Sequence, residues 1–289
     1  MNIENLVFKG GGVLGEAYAG AYTIVSPLAP NVKRVAGTSA GSMMALMVAL
    51  GYTPDEITSV LDATPFHSFM DRSSWIGHIL NELRYYGFYT GDALMRWIQA
   101  QIKNKTGANN ITFADFRNLG YLDLTVVATN DITNEAVYFN CANTPNTIVA
   151  EAVRCSIAIP LFFRAFKPSQ GEFIGAPFVD GGVVNNYPIS LYDTAEGANE
   201  ATLGLFLHHD APSSTLSEGH LLAEIKDTFL SIVNAQDVDF FAHPQDVARS
   251  IIIDSLGLSA TDFNLSKADA EALKASGKLA AQHFFAKNL

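Results

Sequence analysis

The stretch RVAGTSAGSMMAL, residues 34–46, sets Ser39 between two glycines and follows it with an unbroken run of helix-forming residues. Residues 32–36 read as a brief strand, and residues 40–50 as a helix closed by Gly51. Gly37-Thr38-Ser39-Ala40-Gly41 fits Gly-x-Ser-x-Gly, a pattern that holds a nucleophile on a strained strand-to-helix turn. The same place also suits an ordinary helix N-cap, in which a serine hydroxyl accepts a backbone N–H of the first turn. The surrounding sequence has to separate the two.

Upstream, FKGGGVLG (residues 8–15) follows the apolar run of residues 6–8 and precedes a small-residue helix over 15–25, stopped by Pro27. Gly10, Gly12 and Gly15 match the Gly-x-Gly-x-x-Gly spacing of a dinucleotide loop. Such a site uses an acidic residue about 20 positions on to hold the ribose, and no Asp or Glu lies between Ala17 and Gly51. Arg34 suits an NADP phosphate, so an NADP-binding reductase stands as an alternative. The other reading is an oxyanion hole, in which backbone N–H groups of Gly10, Gly11 and Gly12 meet a developing negative charge at a helix start.

Downstream, strand-like and helical stretches alternate, which argues for α/β layers. Residues 55–101 look helical and rich in aromatics, among them Phe66, Phe69, Trp75, Tyr85, Tyr86, Phe88, Tyr89 and Trp97. Packing suits most of these, although residues 65–89 are also placed to cover a site or meet a lipid interface. Residues 122–129 and 136–139 read as a hairpin, 147–156 as a helix, and 173–179 and 203–207 as strands. Helices are expected over residues 221–234 and 267–285. No repeat or linker interrupts the chain, and residues 1–289 read as one domain.

The 289 residues are 48% hydrophobic, enough for a large core, and the formal net charge of −11 disfavours nucleic acid. Contact with an anionic membrane would have to rely on apolar side chains or a local patch. Neither a secretory leader nor a span-length apolar segment is visible, so a cytoplasmic protein, or one exported without a Sec signal, is expected. Cys141 and Cys155 are too few for a disulfide framework and read as small buried hydrophobes.

A serine nucleophile needs a base. His208 and His209 follow a strand-like run and fit the late histidine of an α/β-hydrolase, but fewer than forty residues precede Ser39 where that fold needs several strands. Asp180-Gly181-Gly182 offers another solution. It ends an apolar run, and a carboxylate partly out of water can itself take a serine proton. A common turn is the plain reading of that tripeptide.

Taken in order, the loop at Gly10–Gly15, the Gly37–Gly41 elbow and Asp180-Gly181-Gly182 resemble the patatin-like phospholipase family. CSIAIPLFF, with Ser156 and Pro160 in a Ser-x-Ala-x-Pro element, YGFYTGDALMRWIQ and the C-terminal stretch from residue 261 are similar to further family blocks. The resemblance implies a three-layer α/β/α fold with a mostly parallel sheet and a Ser39–Asp180 catalytic dyad. It also implies an oxyanion loop at Gly10, Gly11 and Gly12, and motif glycines Gly15, Gly37, Gly41, Gly181 and Gly182. Phospholipid or other acyl-lipid esters would be the substrates, with transient membrane-surface contact and with neither cofactor nor metal. Leu14 stands where the family often carries Arg or Lys. A patatin-fold interaction protein with weak catalysis is therefore the second alternative.

Overall fold

Asn5–Phe8 forms strand β1, and its four residues are all buried, the pattern of a parallel strand covered on both faces. β2 (Arg34–Thr38) lies parallel to it with Val7 opposite Ala36 and Phe8 opposite Gly37. Outward from β2 comes β4 (Asp123–Asn130), and on the other side of β1 come β8 (Thr202–His208) and β9 (Ser250–Asp254), all parallel. β5 (Glu135–Phe139) and β7 (Phe178–Asp180) pair antiparallel with β4, completing a seven-stranded, mostly parallel sheet. A separate parallel pair joins β3 (Gly87–Tyr89) to β6 (Leu161–Phe163). The computed structural model describes residues 1–71, 87–208, 221–260 and 262–288, with backbone alone for residue 88 and residues 221–227.

Side-chain alternation divides the core. Leu6, Phe8 and Val35 face the larger side, against helices α1 (Glu16–Leu28) and α2 (Ala40–Ala49). Val7 and Ala36 face the other side, where Ile189 covers them together with Tyr187, Leu191 and Tyr192. α3 (Pro54–Asp62), α4 (Asp92–Thr106) and α5 (Phe113–Asn118) extend the larger side, with α6 (Val149–Ser156) packed on β4. α7 (Leu221–Phe241) and α8 (Pro244–Ala248) lead into β9, and Phe240 of α7 stacks on Phe206 of β8, ring centroids 4.1 Å apart. The result is a mixed α/β architecture with helices packed on a central sheet.

The last helix, α9 (Lys267–Asn288), crosses α1 at two glycines. A Cβ built on Gly20 would sit 1.8 Å from the Lys274 carbonyl oxygen, and one on Gly277 would sit 1.9 Å from that of Ala17. Backbone therefore touches backbone at the crossing, and no larger residue fits there without separating the helices.

Several expectations shift. Pro27 lies inside α1, which runs one residue past it, and the strand expected over 173–179 is confined to Phe178–Asp180. The helical reading of residues 55–101 gives way to β3 at Gly87–Tyr89, because that segment completes the β6 pair. Of its aromatics, Phe69 and Tyr89 are buried and Trp97 meets Phe69 edge-on. Trp75, Tyr85, Tyr86 and His209 lie outside the described residues, and only the backbone of Phe88 is described. Cys155 is buried as expected, whereas Cys141 is half-exposed.

Gly277→Val should destabilise the chain by about 3 kcal/mol, the upper end of over-packing costs. Denaturant unfolding measures this, and a loss under about 1 kcal/mol would contradict the tight crossing.

Candidate active site

Parallel register brings the carboxyl ends of β1 and β2 side by side, so the glycine loop after Phe8 and the elbow after Thr38 emerge together. β4 lies next to β2, and its Ala128 is opposite Asp180 of β7. Three sequence-distant segments thus converge on one edge of the sheet, the edge where α/β folds bind ligands.

At the elbow Ser39 has φ 52° and ψ −127°, a conformation that costs a non-glycine residue on the order of 1–3 kcal/mol. The neighbours hold it there. Its N–H donates to Ser156 Oγ at 2.8 Å, and Ser156 Oγ in turn donates to the Val127 carbonyl at 2.5 Å. The Ser39 carbonyl accepts from Ser42 N at 2.8 Å and Ser42 Oγ at 2.6 Å. Gly37 and Gly41 face each other so closely that a Cβ on Gly37 would lie 2.1 Å from the Gly41 carbonyl oxygen.

Ser39 stands at the N-cap of α2, yet its side chain does not cap the helix. Its Oγ donates instead to Asp180 Oδ2 at 2.7 Å. The other carboxylate oxygen accepts from Gly182 N at 2.7 Å, and the Asp180 carbonyl accepts from Thr129 Oγ1 at 3.0 Å. Asp180 is fully buried, and burial pushes its carboxyl up to about 7 against the pull of the Ser39 and Gly182 hydrogen bonds. Ser39 is itself only 3% exposed.

Gly10, Gly11 and Gly12 form one wall of a cavity of about 30 Å³ beside Ser39. The Gly10 N–H is already committed to the Asn186 carbonyl at 2.9 Å. Among the described residues the N–H groups of Gly11 and Gly12 make no hydrogen bond. Gly12 has φ 55°, and a Cβ there would strike the Ala260 carbonyl at 1.9 Å, so glycine is required on both counts. Gly15 is less confined, with Ala40 Cβ 3.5 Å from its built Cβ.

α7 roofs the cavity through Phe229, Leu230 and Val233. Its Gln236 donates to the Gly182 carbonyl at 2.7 Å and accepts from Asn186 N at 2.8 Å. The next residue of the helix, Asp237, pairs with the buried Lys9 at 2.6 Å. Asn186 itself reaches back, Nδ2 to the Gly10 carbonyl at 3.4 Å. No local sequence signal points to Asn186, Gln236 or Asp237, and Ser156 stands out only as part of a motif.

The remaining candidates lie elsewhere. Arg34 begins β2, at the end of the strand opposite the glycine loop, where its Nε donates to Asn5 Oδ1 at 2.7 Å and its guanidinium covers the Tyr192 ring. It is not placed to read a phosphate held at Gly10–Gly15, which removes the support for the NADP alternative. His208 ends β8 and lines a neighbouring cavity, while Ser39 reaches Asp180 with no imidazole between them. Among the described residues no three metal-ligating side chains gather in a way that would hold an ion, and no helix is long and apolar enough to cross a membrane.

The chain is similar to known proteins in sequence and in fold. The patatin-like phospholipase family matches residues 6–192. An uncharacterized protein of Acanthamoeba polyphaga mimivirus is 30% identical over 272 residues, covering 91% of this chain and 87% of the relative. A probable lipid hydrolase of Invertebrate iridescent virus 6 is 27% identical over 190 residues, 65% of this chain and 62% of that one. Among solved structures, VipD from Legionella pneumophila superposes over 99% of this chain and 67% of its own, with TM-score 0.65 and 15% identity. ExoU of Pseudomonas aeruginosa, in complex with SpcU, does so over 99% of this chain and 52% of its own, with TM-score 0.60 and 19% identity. The chain therefore spans about half the length of ExoU, and at these identities both likenesses concern the fold alone. With the match to residues 6–192 taking in the glycine loop, the serine elbow and Asp180-Gly181-Gly182, the chain belongs to the patatin-like phospholipase family.

Proposed function

We propose that the protein is a lipid acyl-ester hydrolase in which Ser39 is the nucleophile and Asp180 the general base. The observation that carries this reading is the 2.7 Å hydrogen bond from Ser39 Oγ to a fully buried carboxylate, made by a serine whose backbone is held in a strained turn. Asp180 takes the hydroxyl proton as Oγ attacks the ester carbonyl. Collapse of the tetrahedral adduct releases the alcohol, which receives that proton, and leaves an acyl-serine. Water then attacks the acyl group, Asp180 accepting its proton, and the acid departs as Ser39 regains its hydrogen.

The free N–H groups of Gly11 and Gly12 are the natural oxyanion donors. Gly10, whose N–H is taken by Asn186, serves this reading by its lack of a side chain: a Cβ there would lie 2.2 Å from Asn186 Oδ1 and 3.1 Å from Ser39 Cβ. Removing one such donor elsewhere costs roughly 3 kcal/mol of transition-state stabilisation, so the loop carries a substantial share of the rate. Phospholipid or another acyl lipid is the proposed substrate class, met at a membrane surface through apolar rather than cationic contacts. The rival reading, a patatin-fold interaction protein with weak catalysis, rests on Leu14 in the glycine loop; against it stands the hydrogen bond between the two proposed members of the dyad.

A fluorophosphonate probe should label the wild type and fail to label Ser39→Ala with the fold retained by circular dichroism. Equal labelling of a folded Ser39→Ala would exclude the nucleophile.

Because Asp180 must be ionised to act as base, kcat/KM on a monomeric ester should rise with pH through a midpoint near 7. A flat profile down to pH 5 would show that another group accepts the proton.

The same raised pKa affects stability. The folded carboxyl binds its proton more tightly than the unfolded one, so its contribution is complete below about pH 4 and is lost as pH rises through about 7. Asp180→Asn, a neutral near-isostere, should therefore gain stability over the wild type between pH 4 and pH 8. With each pKa unit worth about 1.4 kcal/mol, the gain reaches on the order of 4 kcal/mol. Denaturant melts at the two pH values measure it, and a pH-independent difference would contradict an isolated buried carboxyl.

A further inference from the structure

A second cavity, of about 40 Å³, is lined by Gly10 and Gly11 but not by Ser39. It shares Gly10, Gly11, Leu230, Val233 and Ala260 with the cavity of about 30 Å³ at Ser39, so the two are neighbours that together make a seam between α7 and the glycine loop. Leu14 and Leu207 extend its apolar wall, each only 3% exposed. Gly11 lets Leu207 pack against the loop: a Cβ on Gly11 would sit 2.5 Å from Leu207 Cδ1.

The seam ends on polar groups. Lys9 Nζ, bonded to Asp237 Oδ2 at 2.6 Å and to the Leu207 carbonyl at 2.8 Å, forms that end with His208, Ser255 and Ser259. An apolar chain end gains nothing by pressing on a buried ion pair, and to pass it the chain would have to separate a pair of desolvated charges, a costly step.

We infer that this seam is the acyl pocket of the Ser39 site, and that Leu14, Leu207, Leu230 and Val233 fit it to a short acyl chain. The inference depends on the acyl-transfer reading of Ser39 and adds the substrate's acyl class to it. About 10–15 Å³ of such space holds one water-sized group, so the two cavities take roughly five or six carbon-sized groups together. Butanoyl and hexanoyl esters fit with α7 in place, whereas a hexadecanoyl chain has to displace Leu230 and Val233.

The test uses the full chain and a series of p-nitrophenyl esters from acetate to palmitate, each below its micelle concentration. For the wild type, kcat/KM should peak at butanoate or hexanoate and fall at least tenfold by decanoate. Leu230→Ala, which enlarges the shared wall, should move the peak by two carbons or more toward longer chains. Leu14→Phe, which fills the far half, should move it toward acetate. If no ester is turned over and fluorophosphonate fails to label Ser39, the acyl-transfer reading falls and the pocket with it. If turnover depends on Ser39 but peaks at dodecanoate or beyond, or the peak is unmoved in folded Leu230→Ala, the pocket assignment alone is overturned.

Discussion

The carboxylate of Asp180 is buried at the carboxyl edge of the sheet and, among the described residues, is held by hydrogen bonds from Ser39 Oγ and Gly182 N rather than by a neighbouring cation. A charge so placed is expensive, and its tenancy requires each donor to be in position. β7 must pair with β4 to bring Asp180 opposite Ala128, and β2 must lie beside β4 to bring the elbow within reach. Gly181 lies against the Val127 carbonyl, so closely that a built Cβ would be 2.3 Å from it. The fold and the hydrogen bond are thus one constraint seen at two scales.

That constraint explains which features of the site were legible. Gly37, Gly41, Gly10 and Gly12 stand out in the sequence because the close approach of backbone, or at Gly10 of the Asn186 side chain, leaves room for hydrogen alone, and such positions cluster in short, local patterns. Ser39 stayed ambiguous because capping and nucleophilic roles use the same residue at the same helix end. The hydrogen bond across 141 positions to Asp180 is what favours the proposed nucleophilic role, and no local pattern contains it. Ser156, which anchors the elbow across 117 positions, and Asn186, 176 positions from Gly10, are decided by strand order in the same way. At the level of elements, the alternation of strands and helices sufficed for the α/β layers. β9, β6 and α5 were unexpected, and β3 was read as helix, since short segments take their conformation from the neighbour they pair with or pack on.

α7 joins these distant pieces. Gln236 spans the two ends of the turn that begins at Asp180, through the Gly182 carbonyl and Asn186 N, while Asn186 holds Gly10 through both backbone and side chain. Asp237 binds Lys9, the residue immediately before the glycine loop. The helix that covers Ser39 with Phe229, Leu230 and Val233 is therefore fastened to both loops that flank the serine. Any movement that admits a larger substrate disturbs the bonds that position the glycine loop, so access and alignment are coupled through the same few side chains.

Leu14 takes on a definite meaning in this setting. A cation in the glycine loop would add charge stabilisation to an oxyanion, and Lys9 is the nearby residue with the charge to replace one. Its ammonium is instead fixed on Asp237 and the Leu207 carbonyl, and burial lowers its pKa. With Ser39 as the proposed nucleophile, anion stabilisation then falls to the N–H groups of Gly11 and Gly12 and to the start of α2. Those donors are preorganised by the Gly12 backbone and need no mobile charge. Removing a cation from position 14 leaves that wall free to be apolar, and Leu14 is buried against the same seam that borders Ser39. On the proposed reading, a hydrocarbon in place of a charge moves selectivity toward the acyl chain while leaving the electrostatic work to the backbone.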